Sequence, residues 1–345
     1  MNQSLTKFKE LFLEEMLQLL WKTWSELGVS GMASPKFSQV IDLEPLILTT
    51  CFWGKYDQRL FDEALSWMIK NERFISVQRL QTIIRKESFH ATGLLGPISQ
   101  KLMQNNPTPK WRGLNKKMKE NLTEQQTPVE LFLTFNNRAL PVIGANDKEF
   151  LQFNYIRLPF IDRHLSRIFS PGKISSLQLQ LRALFGLNSR AETMLALLLD
   201  NQVSIKEVAE TSYFSWRSIQ EVLFELSHSG LVTHPAAKRK RKYQLTSNNW
   251  HKMFLGKNAS IKPDKINWAK LYLALELLWN KLNDESFLKL SFAGKNIEMT
   301  ELLKTKINPL LAQTNKQFQT TNTEIHTDFL FENLFENTLD ILNKL

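Results

Sequence analysis

Apolar residues recur at helical spacing through the first part of the chain. Phe8, Leu11, Phe12, Met16, Leu19, Leu20, Trp24 and Leu27 form one stripe, and Gly28 offers a C-terminal stop. Asp42 stands where it can cap a second, almost wholly apolar helix running towards Trp53. Leu60, Phe61, Ala64, Leu65 and Met68 make a third stripe. Ser76 can cap a fourth helix whose inner face is Leu80, Ile83 and Ile84. Residues 1–90 therefore read as a helical domain, with Trp21, Trp24, Trp53 and Trp67 in its core. The pattern then breaks. Gly93, Gly96, Pro97, Pro107, Pro109 and Pro128 punctuate residues 91–128, which read as a basic linker. Residues 129–187 read as a connecting α/β or helical segment. Val129 to Phe135 suits a strand or a helix start, Asp147 to Tyr155 a short helix, and Leu177 to Phe185 a helix after the Pro171-Gly172 break.

Periodicity returns at Asn188. Ala191, Met194, Leu195 and Leu198 give one helix face, and Val203 can start a short strand. Ser204 and Glu207 match a capping box, opening a second helix with Ile205, Val208 and Ala209 inward. Thr211 to Phe214 is a compact turn. Ser215 can cap a third helix, whose buried stripe is Ile219, Val222, Leu223 and Leu226. Trp216 sits at the same spacing and is expected to pack with them, and Gly230 suits a left-handed stop. Strands are expected at residues 231–233 and 243–245, joined by a basic loop from Pro235 to Lys242. A C-terminal helical domain, residues 266–345, carries Trp268, Leu271, Tyr272, Leu275 and Leu278, then a last helix from about Ile325.

The run VSIKEVAETSYFSWRSIQEVLFELSHSGLV followed by THPAAKRKRKYQL resembles the winged helix-turn-helix domain of bacterial transcriptional regulators, over residues 188–250 only. The flanking helical regions resemble uncharacterised bacterial proteins. The fold class expected is thus mainly α and multi-domain, with a central unit of three helices and a small β-hairpin wing. The resemblance implies double-stranded DNA as partner. The third helix would enter the major groove, where Arg217 suits guanine and Gln220 suits adenine. Tyr213, Ser215 and Ser218 suit phosphate oxygens near the helix start. Lys238, Arg239, Lys240, Arg241 and Lys242 would hold the backbone.

Charge supports that direction. The chain has 345 residues and a formal net charge of +10, which favours a polyanionic partner. Its single cysteine, Cys51, lies in an apolar run and reads as a small core residue in a reducing compartment, so the protein is expected to be cytoplasmic. No apolar run approaches the roughly 20 residues of a membrane span, so no membrane partner is expected. The apolar excess at Phe329, Leu330, Phe331, Leu334 and Phe335 suggests a homodimer, and the helical flanks could also hold a protein partner. Such a partner gives the alternative reading: an antitoxin-like or complex-assembly protein whose winged helix autoregulates or mediates protein contacts.

Catalytic chemistry finds little footing. The six histidines are scattered, with no His-x-x-x-His pair, and phosphate-binding glycine loops and a nucleophile elbow are missing. No catalytic residue, metal or cofactor is expected. One enzymatic hint remains: Arg85 with His90, and Arg157 with His164, have the Arg-to-His spacing of small helical ribonucleases. Pro159 interrupts the second pair.

Overall fold

A computed structural model describes residues 2–30, 37–89, 92–122, 127–233, 242–260, 263–314 and 330–345. The chain is mainly helical. It opens with α1 (Asn2–Glu26), α2 (Leu43–Trp53), α3 (Gln58–Asn71) and α4 (Val77–Glu87), as the apolar stripes predict. Ser76 caps α4 by accepting from the Arg79 N–H. Asp42 precedes α2 without capping it, because its carboxylate is turned to the Arg79 guanidinium at 2.5 Å.

The stretch expected as a linker is instead two packed helices, α5 (Leu95–Asn105) and α6 (Pro109–Glu120). Leu95, Ile98, Leu102, Trp111 and Leu114 are buried in the same core as α1–α4. Two of the prolines that suggested a tether serve helix starts. Pro97 lies in the first turn of α5 and Pro109 opens α6, where an amide donor is not needed. Gly96 lies where a Cβ would come within 2.3 Å of the Phe153 ring. Of the basic residues in this stretch, Lys101 pairs with Asp147 at 3.0 Å and Lys110 with Glu72 at 3.0 Å, while Arg112, Lys116, Lys117 and Lys119 form the solvent face of α6.

Residues 127–170 are largely irregular. β1 (Val129–Glu130) pairs in parallel with β2 (Tyr155–Ile156), and the short α7 (Lys148–Leu151) lies between them. The expected helix to Tyr155 therefore ends early and gives way to a strand. The chain then runs across the first core, and the Arg167 N–H bonds the Gly28 carbonyl at 2.8 Å. Gly28 is required there: its φ is +112° and a Cβ would meet the Arg167 carbonyl at 2.8 Å.

After α8 (Leu177–Phe185) come α9 (Ser189–Leu199), α10 (Ile205–Ser212) and α11 (Trp216–His228). β3 (Val232–Thr233) pairs antiparallel with β4 (Gln244–Leu245), in the register Val232 to Leu245, and Val203 bridges Tyr243. These elements, with α12 (Asn249–Leu255), enclose a second core of Leu177, Met194, Leu198, Val208, Ile219, Leu223 and their neighbours. The Ser204–Glu207 capping box is present, and Gly230 has φ +75° as expected.

The C-terminal helices α13 (Trp268–Leu282), α14 (Glu285–Leu288), α15 (Phe292–Leu302), α16 (Asn308–Ala312) and α17 (Leu330–Asn343) do not form a core of their own. They complete the first core. Trp279 packs against Phe12 and Trp53, with ring centres 5.7 and 5.2 Å apart, and Phe335 stacks on Phe8. The expected separation of residues 1–90 from 266–345 thus gives way to one shared core. The physical reason lies in α2, which is buried on every side and needs cover from both ends of the chain. Leu334 and Phe335, taken from sequence as dimerisation residues, pack within their own chain; residues 315–329, Phe329 among them, lie outside the described residues.

Candidate nucleic-acid interface

The second core gives α11 two faces. Ile219, Val222, Leu223 and Leu226 are buried, and Ser215, Trp216, Arg217, Gln220, Glu221, Phe224, Glu225 and His228 are exposed. Helical geometry dictates this split, since the buried four lie within roughly one third of the turn. Ser215 caps the helix, accepting from the Ser218 N–H at 3.1 Å, and the two hydroxyls lie 2.8 Å apart. The Arg217 side chain is 86% exposed and pairs along the helix with Glu221 at 2.9 Å. Glu225 pairs with Arg190 on α9. Gln220 is exposed between these charges.

One predicted site residue and one predicted packing residue are placed differently from expectation. Tyr213 is buried, and its hydroxyl donates to Glu87 at 2.9 Å. It sits at the end of α10 with φ +63°, which swings its ring into the first core. It is therefore withdrawn from the set that faces solvent. Trp216, expected to pack, is 53% exposed. Its spacing is that of the buried stripe, but it begins the helix and lies past the reach of the packed neighbours.

The turn between α10 and α11 is held from below by ions. Arg79 donates through Nε to the Ser212 carbonyl at 2.9 Å, and its guanidinium lies 5.5 Å from the Tyr213 ring centre. Arg79 also meets Glu44 at 2.5 Å. Glu44 in turn meets Arg182 at 2.7 Å, and Arg182 meets Glu192 of α9 at 2.7 Å. Burial alone would push the Glu44 carboxyl up. The charges of Arg182 and Arg79, with hydrogen bonds from Arg182 and the Ser76 N–H, outweigh burial and bring it down to about 2. This network joins the two cores. Sequence reading passed over it, although two charges interrupting apolar runs, Glu44 in LEPLIL and Arg182 in LQLRALF, were a visible signal.

Beside α11, the strand pair carries Lys242 exposed at the start of the returning strand. Glu207 at the start of α10 senses it. Burial pushes that carboxyl up, but hydrogen bonds from the Ser204 backbone and hydroxyl bring it below its usual range, and the charges of Lys242 and Lys265 add to the effect. Lys238, Arg239, Lys240 and Arg241 lie outside the described residues.

The ribonuclease spacing does not assemble a site at Arg157 and His164. Arg157 is fully buried against Asp62 at 2.7 Å, whereas the His164 side chain is 84% exposed. His90 lies outside the described residues. Among the described residues no group of histidines, cysteines and carboxylates could hold a metal ion, and no helix is long and apolar enough to cross a membrane. Cys51 is buried, and burial pushes its thiol well up, with the nearby Glu276 adding to the shift.

No family model, curated protein or solved structure matches this chain.

Proposed function

We propose that residues 188–250 form a winged helix-turn-helix and that the protein uses it to bind double-stranded DNA sequence-specifically, as a transcriptional regulator. The observation that carries the reading is the open outer face of α11, on which Ser215, Arg217 and Gln220 stand exposed while the opposite face is fixed in its own core. The order of elements supports it: helix, bridging residue, helix, turn, helix, then two paired strands joined by a basic stretch. A major groove admits an α-helix and presents a distinct donor and acceptor pattern for each base pair. Arg217 reaches guanine by exchanging Glu221 for the base. The exchange costs little, since an exposed ion pair contributes at most about 1 kcal/mol. Ser215 and Ser218 meet phosphate oxygens, and Lys238 to Lys242 bind the backbone by releasing counterions.

The test is fluorescence anisotropy with a duplex from upstream of the protein's own gene and a scrambled duplex of equal length, at two salt concentrations. Wild type binds the upstream duplex more tightly. Arg217→Ala removes the preference, and neutralising Lys238 to Lys242 weakens both duplexes and flattens the salt dependence. Equal, weak binding of both duplexes by wild type overturns the reading.

A second reading, a partner-binding protein of antitoxin-like or assembly type, has its own observation. The irregular segment after β1 exposes a run of large apolar side chains: Ile143 is 91% and Ile161 75% exposed, with Leu140, Leu158, Leu165 and Ile168 also in solvent. On this reading the segment docks a protein partner. A stoichiometric partner that survives nuclease treatment, and that Ile143→Asp with Ile161→Asp releases, favours it over DNA binding alone.

A further inference from the structure

We infer that Phe224 reads the 5-methyl group of thymine, so that the DNA taken by α11 carries a thymine at a fixed distance from the pair read by Arg217. The inference rests on the nucleic-acid reading above.

Arg217, Gln220, Glu221 and Phe224 follow one another at i, i+3, i+4 and i+7, the spacing of a single exposed helix stripe. The first three carry hydrogen-bonding groups for base edges. The fourth is a phenyl ring, 63% exposed, whose ring contact is His228 with centres 4.1 Å apart. Thymine presents the one apolar group on the major-groove floor, and a Phe side chain is among the groups that contact it. Seven residues of helix rise about 10 Å. With α11 lying along the groove, that is about three base-pair steps of 3.4 Å each.

Charge and spacing favour DNA over a protein on this face. Of the two acids on the outer face, Glu225 stays paired with Arg190 of α9, and Glu221 is the one acid left facing the groove when Arg217 takes guanine. The basic stretch Lys238 to Lys242 joins the strands that follow the helix. A protein-docking face gathers its apolar groups into one desolvated centre. Here Phe224 has only the His228 ring beside it, and the exposed Trp216 lies two turns away with Gln220 between them. A single phenyl ring at the end of a stripe of polar reading groups matches a groove floor with one methyl on it.

The experiment selects duplexes from a random-sequence pool with the wild-type protein. Each thymine of the enriched duplex is then replaced by deoxyuridine, which removes only the methyl group. We expect one thymine whose replacement weakens wild type about three- to fivefold, the loss of one buried methyl. Phe224→Ala, at an exposed position that leaves the core intact, binds more weakly and no longer distinguishes thymine from deoxyuridine. Phe224→Leu retains part of the preference. If a duplex is enriched but full replacement by deoxyuridine changes nothing, the inference is overturned and the DNA reading stands. If no duplex is enriched, both fall together.

Discussion

The Tyr213 hydroxyl donates to Glu87 across 2.9 Å, joining two residues that are 126 positions apart. This bond seats the turn before α11 on the end of α4, and Lys270 of α13 holds the same carboxylate from the other side. The residue that sequence suggested for a phosphate contact therefore orients the helix from beneath. Burial, reinforced by the Glu87 charge, pushes the Tyr213 phenol well above its ordinary value, so it is a neutral donor throughout the physiological range.

Tyr213→Phe follows directly. It removes one buried hydrogen bond while Lys270 keeps Glu87 paired, so stability falls by about 1 kcal/mol. Urea denaturation measures this. On the DNA reading the same variant binds nearly as wild type does in the anisotropy experiment, because the ring stays buried and Lys270 keeps Glu87 in place; a loss comparable to that of Arg217→Ala would mean that the Tyr213–Glu87 bond itself sets the orientation of α11.

Glu44→Gln tests the ionic joint between the cores. It leaves Arg79 and Arg182 buried with too little negative charge, which costs about 3–5 kcal/mol. The pH dependence has a definite sign. The folded carboxyl sits at about 2, below its unfolded value, so its stabilisation is complete above about pH 4.5 and is lost as pH falls towards 2. Acid titration of denaturation midpoints should show this fall in wild type and a shallower one in Glu44→Gln.

Glu276 has the opposite sign. It is buried on α13, and no cation forms a salt bridge with its carboxylate among the described residues. Burial pushes its carboxyl well above the usual range, with the Thr49 hydroxyl and then the charge of Lys55 opposing the shift. The folded state therefore holds a proton that the unfolded chain releases, and this group costs stability increasingly as pH rises above about 4.5. Glu276→Gln should gain about 1–2 kcal/mol at pH 8 and nearly nothing at pH 4. A constant difference across that range would contradict the assignment.

Gly96→Ala probes the helix that replaced the expected linker. Its Cβ would stand 2.3 Å from the Phe153 ring, so the helix or the ring must shift, at a cost of about 1–3 kcal/mol. Combining it with Phe153→Leu should cost less than the sum of the two single changes, and a double-mutant cycle in urea reads this coupling. Additive losses would mean that the ring and the helix yield independently.

By itself the sequence determined the local structure. The stripes of α1 to α4, the capping box at Ser204 and Glu207, the buried face of α11 and the left-handed Gly230 were all legible, because each depends on residues within a few turns of one another. Tertiary structure decided what these elements pack against. Whether Pro97 and Pro109 break a helix or begin one, whether Trp216 finds cover at the end of its stripe, and whether α2 is shared by both ends of the chain depend on distant segments that local periodicity does not encode. The same holds for Tyr213 and for the Glu44–Arg182 joint. A single aromatic or charged residue suits a surface or an interior, and only the residue brought against it, Glu87 in one case and Arg182 in the other, settles which.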